Sequence, residues 1–231
     1  MHIEDKYNMT KNENIFLAKR NVVGNIYNSI KLEGLKITFA ETYAIYYKAY
    51  LKEVHISDVN TVLNLKNAWK YVLSNIDKPI TLEYILDVHK EVANDEALAW
   101  GVLRNGGVGI GGTDYRPPIP VKEEVIEKLK EFEQIQGCTE RSIERMLWMM
   151  KQQLFWDGNK RTAMLIANKD MISHGKGIIT IPEKDIHTFG ELLSDFYSYV
   201  KKDDLKKFIF EKGIDGIVFE KDISQDELVL E

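Results

Sequence analysis

Apolar residues recur at three- and four-residue spacings along most of the chain. Ile15, Ala18, Val22, Ile26 and Ile30 form one such stripe. They predict a helix that ends at Glu33-Gly34, where glycine can cap. Phe39, Tyr43, Tyr46 and Tyr50 form an aromatic stripe, and Val59, Val62, Leu63, Trp69, Val72 and Leu73 a third. After Pro79, Thr81 reads as the N-cap of a helix with Leu82, Ile85, Leu86, His89 and Ala93 on one face. Val125, Leu129 and Phe132 mark a helix after Pro120, and Ile143, Met146, Leu147, Met150 and Leu154 another. Ala163, Ile166, Ala167, Met171 and Ile172 mark the next, stopped by His174-Gly175-Lys176-Gly177. Phe189, Leu192, Leu193, Phe196 and Val200, then Leu205, Phe208 and Ile209, complete an all-α pattern.

One segment breaks it. Gly101 to Pro120, "GVLRNGGVGIGGTDYRPPIP", holds six glycines and three prolines. Short apolar pieces flank Asn105-Gly106-Gly107, a sequence suited to a hairpin turn. The segment reads either as an exposed hairpin whose edge accepts another backbone or as a connecting loop.

Composition narrows the function. Net charge is −5, with 31 Lys and Arg spread along 231 residues. No basic field or arm invites nucleic acid. One cysteine, Cys138, excludes an internal disulfide and a cysteine-based zinc site. The first residues have no apolar core of the signal-peptide kind, and no apolar run approaches the ~18 residues of a membrane span. A cytoplasmic protein with no membrane association is expected. The end of the chain, from Phe219 onward, is acidic and reads as solvated.

Candidate chemistry concentrates between two helices, in Asp157-Gly158-Asn159-Lys160-Arg161. The N–H groups at a helix start are unpaired and the dipole is positive there, which favours phosphate. Gly158 permits a tight turn and close approach. Asn159 can orient the loop or donate to an oxygen. Arg161 can grip phosphate in two-pronged geometry, and Lys160 adds a point charge. Asp157 is a hard oxygen ligand suited to the Mg²⁺ of a nucleotide. A plain helix-to-helix turn is the competing reading.

The stretch "QLFWDGNKR" resembles the signature of the Fic (Fido) family, His-Pro-Phe-x-Asp-Gly-Asn-Gly-Arg-x-x-Arg, and is similar to its Doc-like variant. "ILDVHKEV" and the glycine-rich segment resemble the family's flap helix and flap. "SIKLEGLKIT" resembles its inhibitory motif, Ser/Thr-x-x-x-Glu-Gly/Asn. Four motifs in order are more specific than one. The resemblance implies a helical bundle with a small β-hairpin flap. It divides the chain into an inhibitory helical segment, 1–36, a Fic domain, 37–212, with flap 101–120 and signature loop 153–164, and an acidic tail, 213–231.

It also implies transfer of AMP, or another phosphate-containing group, from ATP or a related nucleotide with Mg²⁺. The acceptor would be a Ser, Thr or Tyr hydroxyl of a protein, with self-modification or a homo-oligomer as further forms. Carried over by position, Asp157 holds the metal, and Gly158, Asn159, Lys160 and Arg161 form the anion site. Ser29, Glu33 and Gly34 are inhibitory. Arg104, Gly109, Ile110 and Gly111 belong to the flap, with Arg104 a candidate for phosphate contact.

Three departures qualify this. Gln153 stands where the family's histidine acts as general base, and an amide takes no proton near neutral pH. Loss of a positioned base typically costs ~10²–10⁴ in rate. Lys160 replaces a glycine, and Met164 replaces the arginine that would pair with the inhibitory glutamate. Glu33 must then pair with Lys160 or Arg161, or obstruct by charge alone. No other histidine substitutes: His89 reads as buried, His174 as a cap, His187 as exposed. The expected function is a Fic-type transferase whose activity is weakened, altered or lost. The alternative is a catalytically silent nucleotide- or partner-binding regulatory protein.

Overall fold

The computed structural model describes residues 2–49 and 55–219. Ten α-helices dominate them: α1 (Lys11–Arg20), α2 (Val22–Lys31), α3 (Phe39–Tyr46), α4 (Ile56–Ser74), α5 (Leu82–Val92), α6 (Lys122–Glu133), α7 (Cys138–Gln152), α8 (Asn159–Ser173), α9 (Ile186–Tyr199) and α10 (Asp203–Lys212). Two short strands, β1 (Ile178–Ile179) and β2 (Ile214–Asp215), pair antiparallel, Ile178 opposite Asp215. The all-α class is therefore observed. None of the described helices is long and apolar enough to cross a membrane.

The helix starts follow local chemistry. Thr10 and Thr38 form capping boxes with Glu13 and Glu41, and the Thr81 hydroxyl accepts from the Tyr84 N–H. The helix expected through Ile30 is two helices. The ladder is interrupted at Asn21, whose side chain donates to Asp215 at 3.2 Å. The aromatic stripe of α3 faces outward: Phe39 and Tyr43 are exposed, while Thr42 and Ile45 point inward. Tyr50 lies outside the described residues, as do 220–231, most of the acidic tail. The fold reaches further into that segment than expected, because Ile214 and Asp215 pair with β1.

α8 is the central rod. Nearly every residue of it is buried, and α1, α4, α5 and α7 all pack on it. Two of its polar residues tie it to its neighbours. Asn168 donates to the Ile179 carbonyl and accepts from the Ile179 N–H, tying β1 to α8. Asp170 accepts two hydrogen bonds from Arg141 at 2.9 Å and one from Arg145 at 2.8 Å, joining α7 to α8. Burial alone would raise the Asp170 pKa, but hydrogen bonds from His174 and Arg141, with the Arg145 charge, hold it well below the carboxylate range. This rod carries the loop 153–158 on its N-terminal end.

Candidate active site

α7 runs out at Gln153, which takes the left-handed conformation at φ +47°. The Gln153 amide nitrogen donates to the Met150 carbonyl at 2.7 Å, and its Oε1 accepts from Asn159 Nδ2 at 3.1 Å. Asn159 turns inward. Its Oδ1 accepts from the Phe155 N–H at 2.9 Å, and its Nδ2 also donates to the Phe155 carbonyl at 2.8 Å. Of the two roles open to it, Asn159 orients the loop. Gly158 sits at φ +70°, and a Cβ there would lie 3.2 Å from Val92 Cγ1, so α5 as well as the turn demands glycine. No side chain caps α8. Its first N–H groups therefore open toward the loop at the positive end of the dipole.

His89 supports the loop from below. Its ring stacks on Phe155 at 3.7 Å between centroids and 8° between planes. The Gly101 N–H donates to Nδ1, so Nε2 carries the proton and donates to the Asp157 carbonyl, both at 3.0 Å. Burial pushes its pKa down to about 4, and the Arg161 charge assists. His89 is thus buried and satisfied, as its position on the apolar face implied. His174 takes the C-cap position of α8 and His187 is exposed, also as expected.

The two cations converge on Glu33. Lys160 Nζ lies 3.0 Å from Glu33 Oε2 and donates to the Leu32 carbonyl at 3.1 Å. Arg161 Nε is 3.6 Å from Glu33 Oε1 and has no hydrogen bond, although it is buried. Arg161 also pairs with Glu96 and lies 3.6 Å from Asp157. Burial would lower its pKa, but Glu33 and Glu96 outweigh this and raise it. Met164 is buried, so the pairing available to Glu33 is the one that uses Lys160 and Arg161. Gly34, at φ +80°, turns the chain after α2. Ser29 is buried on α2 and lines a small cavity with Arg161 and Met164, outside the groove.

The glycine-rich segment lies across the loop without forming a ladder. Among the described residues the strands are elsewhere, so the expected hairpin is an irregular loop here. Its hydrogen-bonded turn runs from Ile110 to Thr113 rather than through Asn105-Gly106-Gly107. Gly106 is pressed on Trp156: a Cβ would stand 2.5 Å from its indole. Arg104 departs from the expectation of an exposed flap contact. It is 1% exposed, and its guanidinium donates to the carbonyls of Gln153, Gly106, Pro117, Pro118 and Gln152. Its donors face the protein's own backbone, which leaves none aimed at a phosphate.

A groove of about 410 Å³ results. Glu33, Gly109, Ile110, Gly111, Gln153, Asp157, Asn159 and Lys160 line it, which brings most of the sequence-derived residues together. Asp157 is 59% exposed; its Oδ1 accepts from the Gly158 N–H, and Oδ2 stays open. Sequence reasoning missed Thr113, Trp156, and the α9 residues Gly190, Leu193, Ser194 and Tyr197 that close the far wall. It also missed Glu96. Pairing across 65 residues leaves no periodic trace, and Glu96 sits in an ordinary polar turn.

A helical bundle with an open helix start, two clustered cations and a covering glycine-rich segment has the electrostatics of an anion seat. Residues 79–169 match the family model of the Fic/DOC family. A protein adenylyltransferase Fic of Nematostella vectensis is 28% identical over 201 residues, 80% of this chain and 44% of that protein. Its counterpart in Aedes aegypti is 25% identical over 204 residues, 83% and 39%. The chain thus spans about two-fifths of the length of these curated relatives. Fic-1 (residues 134–508) from C. elegans superposes with a TM-score of 0.68 at 21% identity, covering 83% of this chain and 60% of that one. A Fic family protein from Desulfovibrio desulfuricans G20 gives 0.71 at 16%, covering 84% and 62%. The match to the Fic/DOC family is carried by residues 79–169, from the start of α5 through most of α8.

Proposed function

We propose that the groove binds a Mg²⁺–nucleotide and that the scaffold serves Fic-type transfer to a protein hydroxyl. The transferred group is AMP or another phosphate-containing group. One observation carries this: the Glu33 carboxylate already sits between Lys160 and Arg161, beside a buried Arg161 Nε that lacks a hydrogen bond. A seat that holds a carboxylate between two cations suits a phosphate oxygen. Asp157, with one carboxylate oxygen open, fits the metal, which would neutralise phosphate charge when bound. Gly109 to Gly111 lie along the groove edge, where an extended target segment would pass.

In AMP transfer the hydroxyl oxygen bonds to the α-phosphorus, the bond to the β-phosphate oxygen breaks, and pyrophosphate leaves. The hydroxyl proton must go elsewhere. Gln153 stands at that point, and its amide is fastened to Met150 and Asn159 and has no basic lone pair. Transfer is therefore weakened, altered or lost. That same anchoring favours a second reading, a catalytically silent nucleotide- or partner-binding regulator.

Calorimetry with Mg·ATP on the unmodified chain and on Glu33→Gly tests the site. Binding at least tenfold tighter in the variant is expected, about 1.4 kcal/mol. No binding by either protein would remove both readings. Labelled ATP then separates them. Gln153→His combined with Glu33→Gly should modify itself or a target if the transferase scaffold is otherwise complete. Silence with binding intact would favour the regulator.

A further inference from the structure

A second cavity, of about 680 Å³, is larger than the groove and separate from it. It lies at the other end of α8, between the turn joining α4 to α5 and the faces of α6 and α8. Lys169, which lines it, is ten residues beyond Asn159, roughly 15 Å along the helix axis. Lys169 is 6% exposed, yet among the described residues its ammonium has no hydrogen bond and no ion pair. Its contact is the face of Tyr84, 5.8 Å from the ring centroid. The Tyr84 hydroxyl is also buried and without a partner. Lysines this buried are rare unless paired.

Three of the four acids that line the cavity are engaged elsewhere, and the fourth, Glu83, is exposed. Asp170 is held by Arg141 and Arg145, Glu133 by Arg145, and Asp77 by Lys11. Burial lowers the Lys169 pKa from its ordinary value, against the opposing charge of Asp170. The rest of the wall is largely aliphatic, with Ile80, Leu82, Ile126 and Leu129.

We propose that this cavity is a second ligand site, for a small amphipathic carboxylate. The carboxylate sits on Lys169 Nζ and the hydrocarbon part against Ile80, Leu82, Ile126 and Leu129. Lys78, Lys130 and His174 also line the cavity but are exposed, so Lys169 is its one buried cation, and a single buried cation beside these aliphatic side chains matches a monoanion with an apolar tail. A phosphate dianion is disfavoured, because Asp77, Glu83, Glu133 and Asp170 also line the cavity. The Cys138, Asp170 and His174 cluster nearby does not suit a metal instead, since both arginines already occupy Asp170.

Sodium octanoate is the probe and calorimetry on the intact chain the measurement. Octanoate should bind, neutral 1-octanol should bind at least tenfold more weakly, and Lys169→Met should weaken octanoate at least tenfold. Methionine keeps the length and apolar stem, and Mg·ATP binding at the groove should not change. A second reading does not depend on the variant. Octanoate should protect Lys169 of the unmodified chain from acetic anhydride, followed by peptide mass spectrometry. No octanoate binding, equal binding of 1-octanol, undiminished binding by Lys169→Met, or no protection of Lys169 would overturn the proposal.

Discussion

His89 illustrates how one residue sets the acid behaviour of the loop. In the unfolded chain it takes a proton below about 6.5. In the fold it stays neutral down to about 4, because burial under Phe155 and the Arg161 charge outweigh its hydrogen bond to the Asp157 carbonyl. Between those values the unfolded state binds more protons, so stability falls as pH falls, by up to about 1.4 kcal/mol per unit. Urea unfolding of the unmodified chain from pH 6.5 to 4 should follow that slope, and His89→Gln should flatten it. An unchanged slope would mean that His89 does not control this window. The residue was legible as buried because its spacing places it on the apolar face of α5. Its duty to the Asp157 carbonyl was not, since a ring–backbone contact across 68 residues leaves no mark on periodicity.

At the scale of elements, the sequence spoke clearly wherever an apolar stripe met a cap. Thr81, Glu33-Gly34 and the stop after α8 all stand where spacing put them. It spoke poorly in the glycine-rich segment. There, conformation is decided by what the chain lies on: Gly106 against Trp156 and Arg104 beneath, gathering carbonyls from both flap and loop. An arginine among glycines reads as surface, and only tertiary packing reveals it as a clamp. Replacing it by methionine leaves several carbonyls without their charged donor, at about 1.5–3 kcal/mol for each strong bond lost. Arg104→Met should lower stability by about 3 kcal/mol. Hydrogen exchange at residues 106–113 should quicken before global unfolding. Unaltered exchange there would show that the segment holds itself.

For the whole molecule, α8 joins everything described: the loop at its start, the arginine-bound Asp170 near its end, and a ring of helices between. Removing one partner of a buried ion pair typically costs about 3–5 kcal/mol. Asp170→Asn should therefore destabilise by about 3 kcal/mol, read from chemical unfolding near neutral pH. A change under 1 kcal/mol would assign the joint to packing alone. The contribution of Asp170 itself is present above about pH 4 and is lost as pH falls below it, because its folded pKa is depressed. Then there is Glu33. Lys160 holds both its carboxylate and the carbonyl that ends α2, so the groove has a resident occupant tethered to the same chain. Dilution cannot remove such an occupant. A ligand that needs the same seat meets a dissociation constant divided by the fraction of time the seat is vacant. If that fraction is about 1%, apparent binding is a hundredfold weaker than the site allows. For any ligand that competes for this seat, the strength of the Lys160 contacts would set a threshold concentration.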